Sequence, residues 1–383
     1  MSVGTARHAG ARTQWALAVP ALRASAAPFL VSRALVLLAL LGARIATSEM
    51  HLGAAARHAS YAGLLSWDAS WYERIAAHGY AGLGTGALRF FPLLPVLARS
   101  LRALPGVTAG MSVVFVANAA AFGAFVVLYR LVSYELGDEA CAHRAVWLLA
   151  LAPPAFVLVM GYADSLLLLA SIAAFLGIRQ RRYTLAIVAA FLAGLCRPVG
   201  VLLAIPAAVE LGANWFALSG RERVKAAGTV LAAPLGTAAY LVWVQEIFGS
   251  FWLPLREQLE VSHRGALTDP LLTVAHDIHD LVHGSHLGVA EHGLWAVLFV
   301  LLALYVLKNL PAAYAWYVVA FLAVALTAAN LSSLERYGLG CFPFVVAGAM
   351  LTKRASTYRI AAGLCGVLLV TLAMLAFLGI YVP

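Results

Sequence analysis

Charged side chains are scarce in this sequence. Of its 383 residues, 11% are Asp, Glu, Lys or Arg and 63% are hydrophobic, and the mean hydropathy is +0.89. A soluble domain carries about 25% charged residues, so this chain cannot cover itself with a water-soluble surface. The composition excludes a soluble enzyme and predicts an all-α integral membrane protein that crosses the bilayer many times.

Cysteine is rare as well, and internal repeats are lacking. The four cysteines are widely separated, at Cys141, Cys196, Cys341 and Cys365. This spacing favours small apolar fillers over a disulfide framework or a cysteine-based zinc site. We therefore expect residues 1–383 to form one integrated membrane domain.

Long apolar runs are abundant, and they predict eleven membrane spans. A spanning helix needs about 20 apolar residues, fewer where it is kinked. The predicted spans are 26–47, 109–133, 143–163, 164–179, 183–196, 198–213, 226–248, 292–307, 311–330, 337–352 and 359–382. Pro198 separates the fifth from the sixth, because proline breaks a helix. One kinked helix over 183–213 would give ten spans instead.

The basic residues are distributed asymmetrically between the loops. With eleven spans, the clusters near positions 7–23, 179–182, 221–225, 308 and 353–359 all fall on one side. The positive-inside rule makes that side cytoplasmic. Residues 1–25 then form a cytoplasmic tail, and 48–108 and 249–291 form extracytoplasmic loops, the first with interfacial helices. The net charge of +9 reflects this topology and not nucleic-acid binding.

The first extracytoplasmic loop contains an unusual cluster of polar and aromatic residues, LSWDASWYERIAAHGY at 65–80. Asp68 lies there between Trp67 and Trp71. Such aromatic residues are ordinary at a membrane surface, where they anchor a loop. A partly dehydrated carboxylate near arginines, however, suits a reaction in which a hydroxyl loses its proton while an anion departs.

Three later polar elements are predicted to reach the same side of the membrane: GYADS with Asp164, CRPVG with Arg197, and LERYGLG with Arg336. Asp164 could simply cap a helix, and Arg336 could extend to the membrane interface. Arg197 interrupts a long apolar stretch, and an ionisable residue at membrane depth indicates a functional site.

Together these elements resemble the PIG-V-type mannosyltransferases, membrane enzymes of the GT-C class. The first-loop resemblance is carried by Trp67-Asp68, Tyr72, Ile75-Ala76, Gly79-Tyr80 and Phe90-Phe91-Pro92. The later matches are GYADSLLLL, with Asp164 where the family often has glutamate, CRPVG, and ERYGLGCFPF. In order and spacing the resemblance covers residues 28–350.

The resemblance implies a GT-C-like helical fold and transfer of mannose, or a related hexose, from a polyprenyl-phosphate donor. The acceptor would be a glycolipid or glycoprotein on the extracytoplasmic face, with the plasma membrane of a bacterium as the expected location. The family's catalytic base corresponds to Asp68. The predicted substrate-binding residues are Trp67, Trp71, Tyr72, Tyr80, Asp164, Arg197, Arg336 and Tyr337. Arginines suit the donor phosphate, and in-line attack gives inversion.

A histidine-rich segment raises the question of a metal. His276, His279 and His283 share a predicted helical face, followed by His286, and such spacing can bind zinc. A phosphate-linked leaving group does not require an ion, so we expect no cofactor and leave a divalent metal as an alternative. A lipid-linked sugar transporter and a non-catalytic assembly subunit are the two alternative functions.

Overall fold

The computed structural model describes residues 18–260, 263–283 and 287–383. These residues form α-helices joined by turns and 3-10 segments, without a strand, and one isolated bridge pairs Leu267 with Ala328. The helices are α1 (Ala18–Glu49), α2 (Ala54–Ala62), α3 (Asp68–His78), α4 (Leu93–Leu101), α5 (Ala109–Leu136), α6 (Glu139–Leu151), α7 (Asp164–Arg179), α8 (Tyr183–Cys196), α9 (Ala204–Asn214), α10 (Gly220–Phe248), α11 (Leu253–Gln258), α12 (Pro270–His283), α13 (Leu287–Asn309), α14 (Ala312–Leu326), α15 (Leu334–Gly340), α16 (Pro343–Leu351) and α17 (Ala355–Phe377).

Six segments of the described chain are long and apolar enough to cross a membrane. They are Val19–Glu49, Ala109–Leu136, Pro198–Ala217, Gly220–Phe248, His292–Asn309 and Ala355–Phe377. Two shorter apolar helices, α8 and α14, accompany them. The prediction of an all-α, multi-pass integral membrane protein is confirmed, whereas the count of eleven spans stays a prediction.

The three other predicted spans are shorter or broken. Residues 143–163 contain the end of α6, which stops before Pro153 and Pro154, since a proline inside a helix removes a backbone donor and clashes with the preceding turn. Residues 164–179 form the 16-residue α7. Residues 337–352 are divided between α15 and α16, with the break before Pro343.

The break between α6 and α7 is stabilised by two side chains from other helices. The Arg33 guanidinium of α1 donates to the carbonyl oxygen of Leu158 (2.9 Å) and to Oδ1 of Asn118 (3.0 Å). The Asn118 side chain of α5 in turn donates to the carbonyl oxygen of Val159 (2.8 Å). These bonds satisfy backbone groups that have no helical partner, and they fix the segment that leads to Asp164.

One large cluster of buried apolar side chains joins most of the helices. Within it, α8 and α10 approach through glycine. A Cβ atom at Gly194 would collide with the carbonyl oxygen of Ala233, and one at Gly236 would collide with that of Phe191. This backbone contact holds the carboxyl end of α8, and therefore Arg197, in a fixed place.

Candidate active site

Asp68 is the first residue of α3 and follows a strained residue. Trp67 has φ 57° and ψ −131°, a conformation that costs a bulky L-residue about 1–3 kcal/mol. The indole Nε1 of Trp67 donates to the carbonyl oxygen of Ala376 (3.0 Å), and Ser70 Oγ donates to the Trp67 carbonyl (2.8 Å). These bonds hold the turn that presents Asp68.

Arg336 lies on α15, which also begins after a residue with positive φ, Ser333 (64°). The guanidinium is buried, with 4% exposure, and all three of its nitrogens donate. Nη2 donates to Asp68 Oδ2 (2.8 Å), Nε to Asp164 Oδ1 (3.3 Å) and Nη1 to the carbonyl oxygen of Pro383 (2.8 Å). Arg336 therefore joins two acidic residues that lie far apart in the sequence.

Asp164 also pairs with Arg197. The residue before a proline is disfavoured in a helix, so α8 ends at Cys196 and Arg197 adopts an extended conformation (φ −159°). Its Nη1 lies 2.5 Å from Asp164 Oδ1, the oxygen that also accepts from Arg336. Asp164 Oδ2 is buried and has no hydrogen-bond partner among the described residues. Asp164 thus holds two arginines side by side.

A cavity of about 380 Å³ opens beside this cluster. Its polar lining consists of Asp68, Tyr72, Arg89, Arg197, Arg264, Arg336 and Tyr337. Its apolar lining includes Leu255, Leu259, Leu267, Phe321 and Val324. Four guanidinium groups face one carboxylate, and the Asp164 carboxylate lies behind them. The guanidinium groups outnumber the carboxylates, so the cavity is complementary to an anion.

Two of the cavity arginines were not predicted as site residues. Arg264 Nη2 donates to the carbonyl oxygens of Val324 (3.1 Å) and Ala325 (2.8 Å), near the end of α14. Burial lowers the pKa of the Arg264 guanidinium from its usual value, which is the cost of desolvating a cation. Arg89 directly precedes the motif that begins at Phe90. Its position next to this motif is the sequence signal that could have marked Arg89 as a site residue.

The aromatic residue Tyr337 lies among the cations. Its ring centroid is 5.1 Å from the guanidinium carbon of Arg197, 5.1 Å from that of Arg264 and 5.6 Å from that of Arg336. A ring at these distances favours the charged guanidiniums through its quadrupole. On α3, burial raises the pKa of Tyr72 well above its usual range. The Tyr72 hydroxyl is therefore neutral and can donate a hydrogen bond.

Three other aromatic residues predicted to bind substrate do not line the cavity. Trp67 bonds to α17, as described above. Trp71 stacks on Phe90 with ring centroids 5.6 Å apart. The Tyr80 hydroxyl donates to the Phe90 carbonyl oxygen (2.6 Å). The expectation that these three residues line a sugar pocket stays a prediction; in this structure Trp71 and Tyr80 contact Phe90, which itself lines the cavity.

The histidine-rich segment lies on α12, away from this lining. His279 and His283 stack with ring centroids 4.0 Å apart, His276 is 73% exposed, and His286 lies outside the described residues. In the part of the chain that the structure describes, no three His, Cys, Asp or Glu residues are grouped to hold a metal ion. The expectation of a reaction without a cofactor stays a prediction.

The chain resembles known proteins in both fold and sequence. It is similar in fold to the crystal structure of ArnT from Cupriavidus metallidurans bound to undecaprenyl phosphate, with a TM-score of 0.50 and 14% sequence identity. The match covers 76% of this chain and 56% of that chain, so this protein spans little more than half the length of ArnT. No curated protein matches the sequence.

A family model described as Mannosyltransferase (PIG-V) matches residues 32–245. The matched region is more than half of the chain, and it contains Asp68, Asp164 and Arg197 together with α8 and most of α10. The family resemblance predicted from the motifs is confirmed. The chain belongs to the mannosyltransferase (PIG-V) family.

Proposed function

We propose that the protein is a GT-C-like glycosyltransferase that moves a mannosyl group from a polyprenyl-phosphate donor to a hydroxyl group of a glycolipid or glycoprotein. One observation carries the proposal. A single cavity holds a partly exposed carboxylate, Asp68, paired with Arg336 and lined by three further arginines, and it continues into an apolar wall. A base, a phosphate site and a hydrocarbon surface are the three things that this reaction needs.

The arginines suit the donor phosphate and, more strongly, the product phosphate. A sugar attached to a lipid phosphate is a phosphodiester with one negative charge, and the released lipid phosphate carries up to two. The excess of guanidinium groups in the cavity therefore suits the leaving group better than the donor. Interactions that strengthen as the charge develops lower the barrier to transfer. Arg197, Arg264 and Arg336 are the groups we assign to this role.

Asp68 is the group we assign as base. Its side chain is 30% exposed, and Arg336 holds one carboxylate oxygen, so the other oxygen is available to an acceptor. The acceptor hydroxyl oxygen forms a bond to C1 of the sugar, and its proton passes to Asp68. The bond between C1 and the phosphate oxygen breaks, and its electron pair stays on the phosphate. Attack from the face opposite the phosphate inverts the configuration at C1.

The apolar wall suits the polyprenyl chain of the donor. Leu267 lines the cavity and is 76% exposed, and Leu271 and Leu272 beyond it are 78% and 69% exposed. A hydrocarbon chain that leaves the cavity past these residues would enter the bilayer without crossing a polar surface. The ArnT structure contains undecaprenyl phosphate, which in our scheme corresponds to the product.

We place the reaction on the extracytoplasmic face. The cavity lies where α7 begins and α8 ends, and the basic residues 179–182 lie at the other ends of these two helices. Because basic residues favour the cytoplasmic side, this arrangement supports a site that faces outward. No cofactor is required in this scheme, since the arginines supply the positive charge.

A transfer assay with purified protein tests the proposal. The donor is polyprenyl-phosphate mannose labelled in both the lipid and the sugar, and membrane glycolipids serve as acceptors. A transferase releases polyprenyl phosphate and labels the acceptor with sugar. A transporter or an assembly subunit releases none, and that result would overturn the proposal. Mass spectrometry of glycolipids and glycoproteins from cells that lack the gene would then identify the acceptor.

A further inference from the structure

We propose that a second site binds the phosphate headgroup of an anionic phospholipid. A separate cavity of about 350 Å³ is lined by Arg181, Arg182, Tyr183, Thr184, Leu185 and Lys225. These residues come from the amino-terminal end of α8 and from the first turns of α10. This basic pocket is not used by the proposed reaction, and its assignment does not depend on that reaction.

The positive charge of the basic pocket exceeds the negative charge of the carboxylates near it. Among the residues that the structure describes, no carboxylate lies within 4.0 Å of the charged nitrogens of Arg181 or Lys225. Arg181 Nη2 instead donates to the neutral side chain of Asn214 (3.1 Å). The nearby Glu222 accepts from the backbone N–H (2.9 Å) and the hydroxyl (2.8 Å) of Ser219, and its single negative charge offsets only part of the charge of Arg181 and Lys225.

Arg181, Arg182 and Lys225 lie near the amino-terminal ends of α8 and α10, where the partial positive charge of the helices adds to their own. The two arginines also follow the carboxyl-terminal end of α7, which favours a cation. Arg181 also has φ 56°, the left-handed conformation that usually belongs to glycine at the end of a helix. This conformation ends α7, and the Arg182 N–H donates to the Gly177 carbonyl oxygen (2.7 Å). The turn directs the chain toward the basic pocket.

The surroundings indicate a lipid headgroup and not a free anion. Apolar side chains are exposed on both helices that form the pocket: Leu185 and Val188 on α8 are 37% and 51% exposed, and Val224 and Leu231 on α10 are 73% and 57% exposed. A phospholipid with its phosphate in the pocket could lay its acyl chains along this surface. Basic pockets between spanning helices are known to select anionic headgroups.

The basic pocket and the active-site cavity lie at opposite ends of α8. This helix has 14 residues, so about 21 Å of helix separates Tyr183 from Arg197. A ligand in the basic pocket therefore cannot touch the active-site arginines. Because that end of α8 is the one that we place on the cytoplasmic side, the ligand would come from the inner leaflet.

Native mass spectrometry of delipidated protein tests this inference. Phosphatidylglycerol, phosphatidylcholine with the same acyl chains, and inorganic phosphate are the three probes. We expect phosphatidylglycerol to bind several-fold more tightly than phosphatidylcholine. Substitution of both Arg181→Gln and Lys225→Gln should weaken phosphatidylglycerol binding by about 30-fold, because each basic residue near an anionic lipid contributes roughly fivefold. Lys225→Gln alone, on an exposed side chain, should weaken phosphatidylglycerol binding about fivefold.

The matched control removes two charges from the same predicted side, through Lys353→Gln and Arg354→Gln at the start of α17. It should leave phosphatidylglycerol affinity within twofold of wild type. Equal affinity for the two lipids, or equal losses in the pocket variant and the control, would overturn the proposal. Displacement of phosphatidylglycerol by inorganic phosphate at a similar concentration would also overturn it, because the pocket would then be a free-anion site.

Discussion

Replacing Asp68 with asparagine should abolish most transfer while leaving the donor site intact. Asparagine keeps an oxygen that can accept from Arg336 Nη2, now 2.8 Å from Asp68 Oδ2. Arg336 also keeps its bonds to Asp164 and to the Pro383 carbonyl. The amide cannot take the acceptor's proton, however. Loss of a general base lowers turnover by about 10²–10⁴, which corresponds to about 2.7–5.5 kcal/mol in the barrier.

Donor binding should not weaken when Asp68 is replaced by asparagine. Asp68→Asn removes a negative charge from the cavity, so the donor phosphate should bind as well as in wild type or more tightly. Asp68→Glu should also transfer poorly, because the longer side chain displaces the carboxylate by about 1 Å from an aligned geometry. The donor dissociation constant and the single-turnover rate, measured on the same purified variants, separate these two effects.

The matched control is Glu73→Gln, which removes one negative charge from the same helix at a residue that does not line the cavity. It should keep the wild-type rate within about twofold. If Asp68→Asn retained transfer within threefold of wild type, Asp68 would not be the base. Asp164 would then be the next candidate, because its Oδ2 has no hydrogen-bond partner in the described part of the chain.

Four further outcomes are expected. Asp164→Asn should lower the apparent melting temperature strongly, because two buried guanidiniums lose their shared carboxylate and breaking such a pair costs about 3–5 kcal/mol; an unchanged temperature would show that Asp164 does not hold them. Arg264→Gln should lower kcat about tenfold, because its guanidinium is assigned to the charge that develops on the leaving phosphate, whereas Arg256→Gln, on an exposed neighbour, should leave kcat and the donor KM unchanged; equal effects would remove Arg264 from the phosphate site. Chelation with EDTA should leave the transfer rate within twofold, and a loss restored by one divalent metal would contradict the scheme without a cofactor. Single cysteines at Tyr61 and His283, in a background without the native cysteines, should react with an impermeant reagent in intact cells; labelling only after lysis would reverse the topology.

The helix boundaries near the cavity could be predicted because charge and proline mark them. The predicted spans 164–179 and 183–196 coincide with α7 and α8, since basic residues and the Arg197-Pro198 step limit the apolar runs there. The predicted span 143–163 is not one continuous helix, because hydropathy does not register Pro153 and Pro154, which are apolar and yet end the helix. An apolar run predicts membrane depth but not an unbroken helix.

Some of the site residues could be predicted from the sequence, and others could not. Asp68, Arg197 and Arg336 are charged residues beside apolar runs. Because a charged side chain is energetically unfavourable in a membrane, these residues could be identified as site candidates from the sequence. Arg264 lies in a polar loop where an arginine is ordinary, and its contact with Tyr337 depends on the folding of distant segments. The direction of Trp67 could not be predicted either, because its positive φ is imposed by tertiary contacts.

The break between α6 and α7 takes its hydrogen-bond donors from helices that are synthesised earlier. A carbonyl group without a donor costs several kcal/mol in hydrocarbon, so this segment is a poor candidate for entering the bilayer alone. Its donors, Arg33 and Asn118, lie earlier in the chain and leave the ribosome before Leu158 and Val159. Translation from the amino terminus therefore delivers the donors to the membrane first, and the segment that leads to Asp164 inserts next to partners that are already there.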